Sequence, residues 1–424
     1  MPLPRVKLPI SSHALPNGLR LLISESHELP IAATAVCYEV GSVDEDPGRT
    51  GFAHLFEHLM FQGSANVPRN AHFQMVQAAG GTLNAFTSKE RTVYFEAVPS
   101  HHWKLPLWLE ADRMRSLAIT EENFQTERST VKEERRLRYD NQAYGTAHEV
   151  LDLLAQDDPA YAHSVIGSMD DLDRAALADV QSFWERHYSP NNATLVVAGD
   201  VREADVIATA REYFGSIGSR REPRVRPARA MDAVRQERSR TATLDDPHAK
   251  APAIYECFPC PELGTRAWYA TQILMSVLTH GESSRLYRRL VKDDGSAIDV
   301  HGSIDRTRGP GTALFLALVR GDVAVCRSAM EEELEKIRHA EISEVELEKG
   351  RNRIATSTIH HLASTGNRAV QIAVLRSLTG RDDAVNSEVE RYFEVTTSDV
   401  LAAARGVLAP AGRASLTVMP RQAS

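Results

Sequence analysis

The chain repeats itself, and the repeat limits its architecture more than any local feature does. LDRAALADVQSFWERHYSPNNATLVVAGD (residues 172–200) and EVTTSDVLAAARGVLAPAGRASLTVMP (residues 394–420) both read as a helix, a proline turn and an apolar strand. In each, an Asp-Val pair begins eleven residues before the proline, Asp179 before Pro190 and Asp399 before Pro410, at an offset of 220. RTGFAHLFEHLMFQGS from Arg49 and TRAWYATQILMSVLTHGESS from Thr265 are helical patterns that end at glycine caps, Gly63 and Gly281, at an offset of 218. Two matches at nearly one offset indicate one unit used twice. A chain of 424 residues is also too long for a single core. The expected division is a first domain over residues 1–218, an arginine- and proline-rich linker over 219–240 with no sustained apolar period, and a second domain over 241–424.

Within the first unit, residues 19–24, 31–40 and 92–98 read as strands. Residues 50–62 and 71–79 read as helices, the second stopping at Gly80-Gly81, and Thr120 opens a helix to about residue 139. Neighbouring strands without an intervening helix predict an α+β fold of two similar domains, each a largely antiparallel sheet with helices packed on one face. The net charge of -8 argues against nucleic acid as a partner, since phosphate binding needs a basic surface. No apolar run reaches the length of a membrane span. The N-terminal residues lack the apolar core of a secretory signal, which predicts a cytoplasmic protein, or a periplasmic one if a signal has been removed. Cys257 and Cys260 form a lone CxxC, which cannot complete a tetrahedral metal site and reads as ordinary packing.

The chemistry lies in His54-Leu55-Phe56-Glu57-His58. Residues at i and i+4 share a helix face, so His54 and His58 can address one ion, with Glu57 beside them. Imidazole nitrogens suit zinc, and a free carboxylate next to a metal-activated water can take its proton during attack on a peptide carbonyl. HxxEH is the inverted form of the HExxH zinc motif. Leu55, Phe56, Leu59 and Met60 make this helix apolar, and buried imidazoles need polar partners. A catalytic zinc takes a third protein ligand. In TEENFQTERSTVKEERRLRYD, Phe124 and Val131 fix an inward face, with Glu127 and Glu134 on its flank and Glu133 on the opposite side. Periodicity therefore selects Glu134 over Glu133 as an inward carboxylate.

These segments, with GSVDEDPGRTGFAHLFEHLMFQGS, AAGGTLNAFTSKERTVYF and ERSTVKEE, resemble the pitrilysin-like inverzincin peptidases over nearly the whole chain. That family includes mitochondrial processing peptidase and insulin-degrading enzyme. In it the third ligand follows the second histidine by about 76 residues, at the end of an ER-x(5)-E pattern. Glu134 lies 76 residues after His58, and Glu127-Arg128 opens the pattern. The resemblance implies one Zn2+ per chain on His54, His58 and Glu134, Glu57 as the base, and Glu127 supporting the site from behind the ligands. It also implies that Asn84, Ala85 and Phe86 lie on an edge strand that a peptide substrate joins as an added strand.

Aligning Gly281 with Gly63 sets Gln272, Met275 and Ser276 opposite His54, Glu57 and His58, so the second half is expected to be a degenerate copy without zinc. In the family, an arginine followed seven residues later by a tyrosine grips the substrate backbone. Here the matching positions carry Val291 and Ile298, and neither side chain can donate a hydrogen bond. The resemblance therefore implies the zinc-bearing subunit of a heterodimer whose zinc-free homologous partner supplies the arginine and tyrosine. The expected function is zinc endopeptidase action on extended peptides or small unfolded proteins. The alternative is a structural core-type subunit related to the peptidases; such subunits have lost the zinc set, whereas His54, Glu57, His58 and Glu134 are all present here.

Overall fold

The computed structural model describes residues 7–219 and 239–421; the arginine-rich linker lies almost wholly outside them. The first sheet contains β1 (Ser11–Ala14), β2 (Arg20–Glu25), β3 (Ile31–Tyr38), β4 (Thr82–Thr87), β5 (Thr92–Pro99) and β6 (Ala193–Gly199), ordered β1-β2-β6-β3-β5-β4. The second contains β7 (Arg240–Asp246), β8 (Ala253–Pro259), β9 (Ala297–Ile304), β10 (Thr312–Val319) and β11 (Ala414–Pro420), ordered β7-β11-β8-β10-β9. The β2–β6 and β7–β11 pairs are parallel, and the other pairs are antiparallel. Leaving β1 aside, the sheets match strand for strand in order and sense, so β2, β6, β3, β5 and β4 correspond to β7, β11, β8, β10 and β9. The repeat read from the sequence is thus a repeat of topology.

The central strands are apolar on both faces: β3 (IAATAVCY) is buried at every position but its first, and β6 (ATLVVAG) at every position. Such strands need cover on both sides. One cover is local. Residues of the helices Phe52–Leu59, Lys104–Ser116, Leu177–His187 and Glu203–Phe214 pack with Leu21, Ile23, Val36, Leu195 and Val197. The other cover comes from the opposite half. Leu22, Ala33, Ala35, Val196 and Ala198 meet Ala369, Ile372, Ala373 and Leu375 of the helix Thr365–Thr379. Reciprocally, Ala147 and Leu151 of the helix Ala147–Ala155 cover Tyr255, Cys257, Leu416 and Val418 of the second sheet. Each half keeps its own helices on one face and lends one helix to its neighbour. The buried Glu90 carboxylate adds a polar tie, accepting from the Arg308 and Gly309 N–H groups at 2.8 Å and from the Tyr161 hydroxyl at 2.6 Å.

Several predicted boundaries move by a residue or two, and two of the shifts bear on the site. The helix expected over 50–62 ends at Leu59, because Phe61 and Gln62 tighten into i→i+3 turns before Gly63, with φ of 107°, turns the chain. The helix expected to residue 139 is α-helical only to Arg135 and then widens into a π-type segment, Arg136–Asp140. Cys257 and Cys260 are buried, and burial pushes the Cys257 thiol up to about 12, which suits packing. Among the described residues no helix is long and apolar enough to cross a membrane.

Beneath the first sheet lies a polar core. His72 of the helix Ala71–Ala78 meets Glu96, Nε2 to Oε1, at 3.2 Å, and Glu96 and Glu110 flank Arg113, which stacks over Phe61 and Tyr94 at 5.0 and 4.3 Å. Burial raises both carboxyls, Glu110 to about 8, and lowers the His72 imidazole to about 3. Arg113 and the Glu110 hydrogen bond oppose the effect of burial on Glu96. In the unfolded chain His72 takes a proton near pH 6.5, but in the folded chain only near 3, so the unfolded state binds more protons between these values. Stability should fall as pH drops through this window, by up to about 1.4 kcal/mol per pH unit from this residue. Urea denaturation of His72→Asn between pH 7 and 4 should give a flatter profile than the parent; an unchanged slope would refute the assignment.

Candidate metal centre

The helix Phe52–Leu59 has only two turns, too few to persist without tertiary support. Phe52, Leu55, Phe56 and Leu59 are buried in the first core. Its N-terminus is closed by Glu45, whose buried carboxylate accepts from the Gly51 and Ala53 N–H groups at 3.0 and 2.8 Å and pairs with His163 Nε2 at 3.0 Å. Gly51 enters at φ of 92°, and a Cβ there would sit 2.6 Å from the Ile166 carbonyl oxygen, so the turn requires glycine. At the other end Arg113 Nη1 donates to the Met60 carbonyl at 3.4 Å, and within the helix the Tyr94 hydroxyl donates to the Phe56 carbonyl at 3.3 Å.

The polar face of this helix meets the helix Glu121–Arg135, whose N-cap Thr120 accepts from the Asn123 N–H. Phe124, Glu127 and Val131 are buried there, Glu134 is half-buried and Glu133 is exposed. His58 Nε2 lies 3.3 Å and His54 Nε2 3.7 Å from Glu134 Oε2. The candidate ligand atoms of His54, His58 and Glu134 all lie within 4.8 Å of one another. Glu127 Oε2 lies 3.2 Å from His58 Nδ1 and so fixes the ring from behind, while Arg138 holds the other Glu134 oxygen at 2.9 Å. The set fits zinc. Two ligand atoms at about 2.0–2.1 Å from one tetrahedral ion lie roughly 3.3 Å apart, close to the two nitrogen–carboxylate distances here. The buried His54 Nδ1 has no hydrogen-bond partner, so that ring depends on its Nε2 for a polar contact.

Glu57 stands beside the trio but does not join it. Its Oε2 accepts from the Thr87 hydroxyl at 2.6 Å. Burial raises the Glu57 carboxyl, and the Thr87 hydrogen bond opposes that shift in part. Burial and the neighbouring His58 charge lower His54 to about 4. Burial would lower His58 too, but the Glu127 and Glu134 carboxylates outweigh it and raise His58 to about 9. Thr87 ends β4, the edge strand that carries Asn84, Ala85 and Phe86; its far side pairs with no strand among the described residues. Sequence reasoning missed Glu45 and Thr87. Both touch the motif helix only through the fold, and the one available signal was that each lies inside a segment that carries the family resemblance, GSVDEDPGRTGFAHLFEHLMFQGS or AAGGTLNAFTSKERTVYF.

The counterpart positions in the second half differ. Gln272, Met275 and Ser276 lie in the helix Arg266–Thr279, with Met275 fully buried. Val291 packs against the second core, and Ile298 is exposed on the edge strand β9.

Two domain models of the M16 peptidases match the chain: insulinase (peptidase family M16) over residues 20–157, and the peptidase M16 inactive domain over residues 174–354. Zinc protease PqqE of Helicobacter pylori is 29% identical over 84% of this chain and 81% of its own. An uncharacterized zinc protease of Streptomyces coelicolor is 27% identical over 96% of this chain and 88% of its own. The crystal structure of a protease from Helicobacter pylori superposes with a TM-score of 0.91 at 25% identity, covering 98% of this chain and all of that one. The first half of the periplasmic protease PqqL from Escherichia coli shares the fold, with a TM-score of 0.76 at 18% identity over 99% of this chain and 93% of that one. The chain belongs to peptidase family M16, the pitrilysin-like peptidases.

Glu45→Ala should strand the Gly51 and Ala53 N–H groups in a buried site, at about 1–3 kcal/mol for each unsatisfied donor. Denaturant melts should record a loss of at least about 2 kcal/mol; a neutral effect would mean the helix entry is held by other contacts.

Proposed function

We propose that this chain is the catalytic, zinc-bearing subunit of a metalloendopeptidase, with His54, His58 and Glu134 as ligands of one ion. The observation that carries this reading is the convergence of two imidazole nitrogens and one carboxylate within 4.8 Å, with a separate carboxylate, Glu57, held alongside. The zinc proteases among its relatives agree with it. When bound, zinc supplies a Lewis acid that polarises the scissile carbonyl and acidifies water toward neutral pH.

The remaining roles follow from the chain's own residues. Glu57 takes the proton of the attacking water and returns it to the leaving amine. Thr87 aims the Glu57 carboxylate, and Glu127 orients the His58 ring through Nδ1. The free edge of β4, at Asn84, Ala85 and Phe86, receives the substrate as an added strand whose backbone runs past Glu57. Glu57→Gln should retain zinc by metal analysis yet lose at least about 100-fold in peptide cleavage. Glu134→Ala should lose zinc. Wild-type cleavage by Glu57→Gln, or full zinc in Glu134→Ala, sinks the respective assignment.

Residues 1–218 would form the working domain, and residues 241–424 a copy that closes the substrate chamber. A homologous zinc-free subunit would supply the arginine and tyrosine that Val291 and Ile298 replace here. The nearest substitute, Arg288, lies exposed seven residues before Gly295, and Arg289 is already paired with Asp294 and Glu332. The purified chain should bind one zinc and cleave poorly until that partner is added; full activity from this chain alone contradicts the division of labour.

A further inference from the structure

The second half holds a cavity of about 420 Å³ where the first half holds its metal trio. Gln272 and Ser276, the counterparts of His54 and His58, line it from the helix Arg266–Thr279. The helix Glu344–Ala363 packs against that helix, as Glu121–Arg135 packs against the motif helix. The two repeat offsets set the counterpart of Glu134 within one residue of Arg353, and Arg353 lines the cavity. A carboxylate in one half is therefore answered by a guanidinium in the other.

The charges in the cavity do not cancel. Arg306 donates to Glu388 at 2.8 Å, and the Tyr269 hydroxyl donates to the same carboxylate at 3.0 Å, so these groups compensate one another. The Arg306 Nε is buried and has no hydrogen-bond partner. Arg353 has no carboxylate within ion-pair distance among the described residues. Its Nη1 lies 3.2 Å from where a Cβ on Gly281 would stand, so that glycine leaves room for it. The hydroxyls of Ser276, Ser357 and Thr358 and the amide of Gln272 complete a wall of neutral hydrogen-bonding groups around one uncompensated cation.

We propose that this cavity binds an anionic group, the C-terminal carboxylate of a peptide, on the fork of Arg353. A planar guanidinium matches a carboxylate through two parallel N–H bonds, and the hydroxyls of Ser276, Ser357 and Thr358 can share the remaining lone pairs. The source of the carboxylate rests on the peptidase reading; the anion preference does not. The site would anchor the end of a substrate away from the place of cleavage and favour peptides with a free terminus.

The test uses full-length Glu57→Gln protein and labelled ten-residue peptides that end in a free acid or an amide, followed by fluorescence anisotropy. The acid should bind about tenfold more tightly than the amide. Adding Arg353→Gln should abolish that preference and leave amide binding unchanged, whereas Arg353→Lys, which keeps the charge but not the fork, should retain part of it and show that the fold persists. Inorganic phosphate should displace the acid peptide and spare the amide. Equal affinity for acid and amide, no binding of either, or a preference that survives Arg353→Gln overturns the proposal, as does phosphate binding without acid selectivity. Acid-selective binding by a chain that never cleaves peptide, even with its partner, would sink the peptidase reading and leave this one standing.

Discussion

Everything at the candidate centre depends on a helix that cannot stand alone. Eight residues make two turns, and the cost of nucleating them is not recovered by their own hydrogen bonds. The fold supplies the difference from outside. Apolar side chains sink one face of the helix into the core, Glu45 takes the orphan N–H groups at its start, and Arg113 reaches a carbonyl at its end. With both ends fixed, His54 and His58 have one way to point.

The two halves show what happens to one scaffold under two chemistries. Strand order, sense and helix placement are kept, while the side chains at the corresponding positions change from imidazole and carboxylate to amide, hydroxyl and guanidinium. Backbone geometry is held by apolar packing that both halves share, so polar residues on the exposed face of one helix can diverge without penalty to the sheet.

Local pattern made some of this legible and could not make the rest so. His54 and His58 share a face because four residues make about one helical turn, and Glu134 faces inward because it is spaced from Phe124 and Val131. These are short-range facts. The equivalence of β6 and β11 followed from the repeat, since both belong to the matched segments, but the strand order within each sheet did not, because the pairings join residues far apart in the chain. Glu45, Thr87 and Arg353 act across the fold, and nothing beside them in the chain marks what they touch. The helices Ala147–Ala155 and Thr365–Thr379 act between the halves, and an apolar stripe on a helix does not say which sheet it will cover. The end of the motif helix was misplaced by three residues because tight i→i+3 turns continue the apolar pattern past the last α-helical residue.

The exchange of covering helices sets an order on biosynthesis. The last strand of the first sheet, Ala193–Gly199, leaves the ribosome well before the helix Thr365–Thr379 that covers its outer face. At ordinary elongation rates the wait is on the order of ten seconds. Throughout it Leu22, Ala33, Ala35, Val196 and Ala198 form an uncovered apolar surface on a nascent chain. The first half is thus a client for holding factors during translation, and a ribosome that stalls or a message that ends inside the second half releases a product with a sticky sheet face, marked for aggregation or degradation rather than partial function.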